Sequence, residues 1–253
     1  MTAYHIITPS AAMMAKPDPL SGRETDALYG ETVTMKKRQG DWAEVVLETD
    51  GYQAWVQYEC LGQLPTATHH IISPRALLTV TPDIKSPAMG HLPLGALICA
   101  EADHEGQNTL AVIGSNGVKG YIPHHHALPI GQYCTDYVAV AEGMIGTPYR
   151  WGGRDSIGFD CSALVQLSLA AAGKKVMRNS GDQEKTIGNT LDHIDDLRRG
   201  DLVFWKGHVG IMTDGQHLIH ANMHHAMTAI EDLRSALPRL EKAAGPISRL
   251  VRI

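Results

Sequence analysis

Apolar and polar residues alternate with period two in short runs of the first half of the chain, and the pattern occurs twice. One stretch runs from Leu28-Tyr29-Gly30-Glu31 through 41–61, and the other from Leu92-Pro93-Leu94-Gly95 through 110–128. In each, an apolar-glycine step precedes a short alternating run and a turn, Thr49-Asp50-Gly51 or Ser115-Asn116-Gly117. An aromatic-aliphatic pair follows, Trp55-Val56 or Tyr121-Ile122, and then a closing leucine, Leu61 or Leu128. Asp-Gly and Asn-Gly between alternating runs predict hairpins. Two small all-β barrels are expected, one over 1–66 and one over 67–130, with Trp42, Trp55 and Tyr121 filling their cores.

From about residue 131 the period changes. Val138, Ala141, Met144 and Ile145 fall on one helical face, and Gly146-Thr147-Pro148 stops that helix. A second helix is predicted from Ser162 to Ala172, ended by Gly173. Three apolar runs follow, at 201–205, 208–214 and 217–222. The breaks at Gly207 and Asp214-Gly215 make them consecutive antiparallel strands. Helices followed by a small sheet define an α+β domain over 131–253.

The first barrel stretch resembles the bacterial SH3-like domain. Residues 41–56 match its Gly-Asp-Trp and Asp-Gly-Tyr pattern well, and 110–122 match it more loosely, with Leu110 where the first tryptophan stands.

The densest chemistry lies at 147–166, where two glycines and a loop lead to Asp160-Cys161-Ser162 at a helix start. A thiol there feels the positive end of the helix dipole. That favours thiolate and a lowered pKa, and the free amides of the first turn can face an oxyanion. His208 follows the Lys206-Gly207 turn and is the expected base. His220, on the next strand, comes beside it if the hairpin closes at Asp214-Gly215, and would then hold its tautomer. Cys60, Cys99 and Cys134 carry no such context and read as inert thiols. The runs His124-His125-His126 and His224-His225 do not converge on one ion in regular backbone, so no metal and no cofactor is expected.

These residues resemble the NlpC/P60 family of papain-like cysteine peptidases. Six motifs stand in the family's order over 136–253: Tyr149-Arg150-Trp151-Gly152-Gly153, Asp160-Cys161-Ser162, Arg178-Asn179-Ser180-Gly181-Asp182-Gln183, Gly200-Asp201-Leu202-Val203-Phe204, His208-Val209-Gly210-Ile211 and Ile219-His220-Ala221. With SH3-like units in front, the chain is similar to γ-D-glutamyl–diamino acid endopeptidases acting on murein stem peptides with a free N-terminal L-Ala.

That resemblance implies a set of roles. Cys161 is the nucleophile, His208 the base and His220 the orienting residue, and Tyr149 lends a hydroxyl near the oxyanion. Asp160 meets the substrate ammonium, Ser162 and Ser180 take the D-Glu carboxylate, and Trp151 walls the pocket. Glu31 and Tyr52 of the first SH3-like domain close the far end of the cleft. An acylated amine would leave Asp160 buried and unpaired, at a cost of about 3–5 kcal/mol.

The net charge of −5 removes a nucleic-acid partner from consideration. No stretch reaches the roughly 18 consecutive apolar residues a spanning helix needs, so no membrane partner is expected. The opening residues lack a basic stretch followed by an apolar core, so a cytoplasmic location and reduced thiols are expected, with a murein-derived peptide as the substrate. Two other classes remain open: an amidase or acyltransferase on the same scaffold, and a wall-binding module. A lipid acyltransferase would want an apolar channel, and a binding module would not need the Cys161/His208/His220 set.

Overall fold

A computed structural model describes residues 3–83, 85–102 and 108–253; Met1 and Thr2, part of the opening stretch considered above, lie outside them. The chain divides into two compact units. One is Met1–Tyr133 together with Arg154–Ser156, and the other is Cys134–Gly153 with Ile157–Ile253.

The first unit holds two antiparallel sheets of seven strands. The first consists of β1 (Ala3–Ile6), β2 (Ser10–Met14), β3 (Arg23–Leu28), β4 (Thr32–Gln39), β5 (Trp42–Leu47), β6 (Gln53–Gln57) and β7 (Leu61–Gly62). The second consists of β8 (His69–Ile71), β9 (Arg75–Thr79), β10 (Ala88–Pro93), β11 (Leu97–Ala102), β12 (Thr109–Gly114), β13 (Gly117–Pro123) and β14 (Ala127–Pro129). Their spatial orders are β3-β2-β6-β5-β4-β1-β7 and β10-β9-β13-β12-β11-β8-β14. Each strand of the second sheet takes the place of the strand seven earlier, so the repeat seen in the sequence is also a repeat of topology. The glycine step recurs too. Gly30 and Gly95 have φ of +80° and +84°, and they donate to the carbonyls of Ile6 and Ile71 at the ends of β1 and β8. Both expected hairpins form, β5 with β6 and β12 with β13.

Of the three aromatic residues expected in the cores, Trp55 is buried, while Trp42 and Tyr121 are half-buried. Along β5, Ala43, Val45 and Leu47 face inward, which turns Trp42 to the other face, where it is half-buried. Of each aromatic-aliphatic pair, the aliphatic member enters the core cluster: Val56 in one sheet, Ile122 in the other. Trp55 is covered on its own face, with the Lys37 ammonium 5.0 Å from its ring centre.

Arg154–Ser156 form part of this unit, with β15 at Arg154–Asp155. Arg154 is buried and donates to both Glu31 oxygens at 2.9 Å and to the Asp26 carbonyl at 2.9 Å. Asp155 accepts from Ser10 Oγ at 2.9 Å and lies 3.0 Å from His91 Nε2.

The second unit begins with α1 (Tyr137–Glu142), capped by Asp136, which accepts from the Val138 and Ala139 amides. Val138, Ala141 and Met144 are buried as the spacing predicts. Ile145 is 53% exposed, because the helix stops at Glu142 and the chain has already turned. After β16 (Gly158–Phe159) comes α2 (Cys161–Ala171), buried on nearly all sides and packed against α1 and the sheet. Then follow α3 (Ser180–Thr186), β17 (Asn189–Leu191), β18 (Leu202–Trp205), β19 (His208–Met212), β20 (His217–Asn222), β21 (Met227–Asp232), α4 (Leu233–Ala244) and β22 (Arg249–Arg252). The six strands form one antiparallel sheet in the order β17-β22-β18-β19-β20-β21. The three predicted strands, β18 to β20, are its adjacent inner members. Among the described residues, no helix is long and apolar enough to cross a membrane.

Candidate active site

Two glycines and an aspartate build the approach to Cys161. Gly152 has φ of +71° and donates its amide to Asp160 Oδ2 at 3.0 Å. Gly153 passes so close to the Gly158 carbonyl that a Cβ there would lie 2.1 Å from the oxygen. Asp160 then caps α2, accepting from the Ala163 amide at 2.8 Å. Cys161 is therefore the first residue of the helix, 6% exposed.

A buried ion pair stands beside the thiol. Arg178 donates Nη1 to Asp160 Oδ1 at 3.0 Å and Nη2 to Oδ2 at 2.7 Å. The same Nη1 reaches Ser162 Oγ at 2.8 Å, and Ser162 in turn donates to Asp160 Oδ1 at 3.1 Å. Gln183, fully buried, donates to the carbonyls of Ser162 and Met177 at 2.9 Å each. The Arg-x-Ser-x-x-Gln segment is thus a clamp on the start of α2, through its arginine and its glutamine. Ser180 is half-buried as the first residue of α3.

The histidines come from adjacent strands. His208 Nε2 and His220 Nδ1 are 2.8 Å apart, with ring centres at 5.0 Å. Val209, next to His208, directs its amide at the Cys161 sulfur, which brings the thiol to the head of β19. Beyond His220 the chain of contacts continues into residues the sequence did not single out. His220 Nε2 is 2.6 Å from Glu231 Oε1 on β21, and Arg239 of α4 holds Glu231 Oε2 at 2.6 Å.

Burial sets the protonation of this set. It pushes the Cys161 thiol up to about 12, with the Asp160 carboxylate adding to the rise; the Val209, Arg178 and Ser162 contacts oppose it without overcoming it. The lowered thiol pKa expected from the helix dipole is therefore not found. Desolvation inside the packed unit disfavours the thiolate. Burial also pushes Cys60 and Cys134 up, so surroundings rather than acidity set Cys161 apart. Burial brings His208 down to about 3, helped by His220 and Arg239, and it lowers His220 as well. Burial alone would raise Glu231, but the His220 and Arg239 bonds hold it down to about 2. Tyr149 is pushed up to about 12 by burial and by Cys161 and Asp160, so it stays a phenol able to donate. Burial thus disfavours the charged form of both the Cys161 thiol and the His208 imidazole.

The structure thus gathers Cys161, Asp160, Ser162, Tyr149, His208 and His220 around the start of α2 and the head of β19. Trp151, 70% exposed, stands at the Gly-Gly turn. Glu31 and Tyr52 belong to the other unit. Glu31 is buried and accepts from Arg154, the Leu28 amide and Thr49, and the Tyr52 hydroxyl donates to Glu24. Among the described residues, one group could be read as metal-ligating: His220, His225 and Glu231, with ligand atoms all within 4.8 Å of one another. There, however, both Glu231 oxygens accept from Arg239, a cation, and Oε1 also bonds His220.

The model of the NlpC/P60 family matches residues 146–239, and that of the bacterial dipeptidyl-peptidase SH3 domain matches residues 13–61. The gamma-D-glutamyl-L-lysine dipeptidyl-peptidase of Bacillus subtilis (strain 168) is 29% identical over 220 residues, covering 78% of this chain and 72% of that protein. The probable endopeptidase NlpC of Escherichia coli (strain K12) is 34% identical over 113 residues, covering 39% of this chain and 73% of that protein. In fold, the chain is similar to a crystal structure of an NlpC/P60 family protein from Bacillus cereus ATCC 10987, with a TM-score of 0.84, 19% identity and 99% of each chain covered. An SH3-like N-terminal domain and a catalytic domain with Cys161 heading its central helix make this a cysteine peptidase. The chain belongs to the NlpC/P60 family.

Proposed function

We propose that the enzyme hydrolyses the bond between the γ-carboxyl of D-Glu and the following diamino acid, meso-diaminopimelate or Lys, in murein stem peptides bearing a free N-terminal L-Ala. Its place is the recycling of cell-wall peptides in the cytoplasm. The observation that carries the catalytic part is the Val209 amide at the Cys161 sulfur together with the contact series His208–His220–Glu231 that starts at the neighbouring residue. Support for the substrate comes from the B. subtilis relative, named for a γ-D-glutamyl-L-lysine bond, and from the Asp160 carboxylate beside the nucleophile.

In this reading Cys161 attacks the γ-carbonyl, His208 takes the thiol proton and returns it to the leaving amine, and water then clears the acyl-enzyme. Tyr149 donates to the oxyanion, and Trp151 offers an indole face to the substrate. Ser162 and Ser180 meet the D-Glu carboxylate. The ammonium of L-Ala meets Asp160 at Oδ2, which carries two donors where Oδ1 carries three. We further read the second sheet as a second SH3-like barrel, on the identity of strand order, and divide the chain at 1–66, 67–130 and 131–253.

Arg178 already pairs with Asp160, so a substrate lacking its ammonium does not strand a lone buried charge. What is lost is one charge-assisted hydrogen bond, about 1.5–3 kcal/mol. N-acetylation of L-Ala-γ-D-Glu-meso-diaminopimelate is therefore expected to lower kcat/KM about 10- to 100-fold. Equal kcat/KM for the free and acetylated tripeptides would remove the amine pocket and leave a peptidase of another specificity.

A further inference from the structure

We propose that Glu231, anchored by Arg239, is a positioning residue that sets the tautomers of both active-site histidines and so presents the His208 Nδ1 lone pair as the base. Glu231 has this role only if Cys161, His208 and His220 are the catalytic set proposed above.

β19, β20 and β21 are neighbours in one sheet, and each contributes one polar group to the series: His208, His220 and Glu231. In the β20–β21 register Leu218 faces Glu231 and His220 faces Ala229. Glu231 is therefore diagonal to His220, two residues along, and its longer side chain spans that offset. Ala229 directly opposite leaves the space in which Glu231 Oε1 comes to 2.6 Å from His220 Nε2.

Hydrogen-bond polarity then runs one way. A carboxylate only accepts, and a neutral imidazole carries a single N–H. Glu231, paired with Arg239 through both oxygens, is held ionised, so His220 must donate from Nε2. That leaves His220 Nδ1 as an acceptor, and its 2.8 Å partner, His208 Nε2, must be the donor. His208 is then protonated at Nε2 and bare at Nδ1. On attack, the thiol proton passes to that nitrogen and the S–H electron pair becomes the nucleophile, with no other atom gained or lost. Without Glu231 nothing dictates which nitrogen of His220 carries hydrogen. The reversed tautomer of His220 would turn His208 to accept at Nε2 and carry its own proton at Nδ1, useless as a base. A wrong-tautomer histidine costs a catalytic set orders of magnitude in kcat.

The experiment uses the full chain and three proteins: wild type, Glu231→Ala and Glu231→Gln. Glutamine keeps an acceptor oxygen for His220 without the charge, so it separates tautomer from electrostatics. In wild type, ring 15N shifts are expected to show both histidines as the Nε2–H form. Glu231→Ala is expected to mix the tautomers, to lower kcat about 30-fold or more with KM little changed, and to slow iodoacetamide alkylation of Cys161 in parallel. Glu231→Gln should restore the Nε2–H forms and most of the rate. Wild-type spectra with His208 protonated at Nδ1 would overturn the proposal. So would Glu231→Ala with unchanged kcat, or with lost activity and wild-type ring shifts, since the role would then be absent or merely structural. Shifts and alkylation need no substrate, so they stand even if the substrate assignment fails. Should the alanine variant be too unstable to study, the wild-type and glutamine spectra decide the point.

Discussion

Cys161→Ala is expected to abolish peptide hydrolysis, by a factor of about 10⁴ or more in kcat, while the protein keeps its fold. The size follows from what is removed: the nucleophile itself, without which neither His208 nor an oxyanion donor has a reaction to assist. The fold should survive because the thiol does no structural work that a methyl group cannot. The helix cap is made by the Asp160 side chain, and the sulfur is only a weak acceptor for the Val209 and Ser162 amides. Three further free cysteines allow an internal control. Cys134→Ala should leave the rate within about twofold, since no chemistry converges on it. Steady-state kinetics with a circular dichroism melt on each variant checks both statements. Turnover by Cys161→Ala above trace level would mean that the attacking group lies elsewhere.

Arg178→Met is expected to destabilise the protein by about 3–5 kcal/mol and to lose most of its activity. Arg178 and Asp160 are both buried, and the guanidinium makes a two-pronged pair with the carboxylate while also holding Ser162 Oγ. Removing the cation strands a carboxylate beside the thiol. It also adds an uncompensated negative charge next to the sulfur on which attack must develop charge, so kcat suffers beyond the loss of stability. The double variant Arg178→Met/Asp160→Asn should recover part of the stability, because no lone charge is left. Urea titration of the single and double variants measures this. A loss below about 1 kcal/mol in the single variant would show that water reaches the pair and that it clamps nothing.

The placement of Cys161 at a helix start and of His208 and His220 side by side was legible because each sits at a position local chemistry marks. Cys161 follows a cap residue at a helix start, His208 follows a glycine turn, and His220 lies within the next apolar run. The glycine pair before Cys161 was legible as a motif, and the structure supplies its reason in the Gly152 amide and the tight Gly153 passage. Arg178 stood in a recognised motif, yet its role was hidden, since nothing in a linear pattern pairs it with a residue 18 positions away. Glu231 and Arg239 were missed for a related reason. Their strand and helix follow the last run that was read, and a single glutamate on a strand gains meaning only when β21 is set beside β20. The upward shift of Cys161 is not legible in sequence, because a helix end can be seen there whereas burial is a property of the packed unit. Of the first repeat's tryptophans, Trp55 is buried as its pattern predicts, whereas the strict alternation of β5 gives the interior to Ala43, Val45 and Leu47 and leaves Trp42 half-buried.

The measurement closest to the central claim is the identity of the bond cut. Purified full-length enzyme is incubated with L-Ala-γ-D-Glu-meso-diaminopimelate and with the Lys counterpart, and the products are read by mass, with Cys161→Ala run alongside. The account predicts release of the L-Ala-D-Glu dipeptide and the free diamino acid from at least one of the two, and nothing from the variant. Cleavage at the L-Ala–D-Glu bond instead, intact tripeptides after prolonged incubation with alkylation-competent enzyme, or equal product from the Cys161→Ala protein would contradict it.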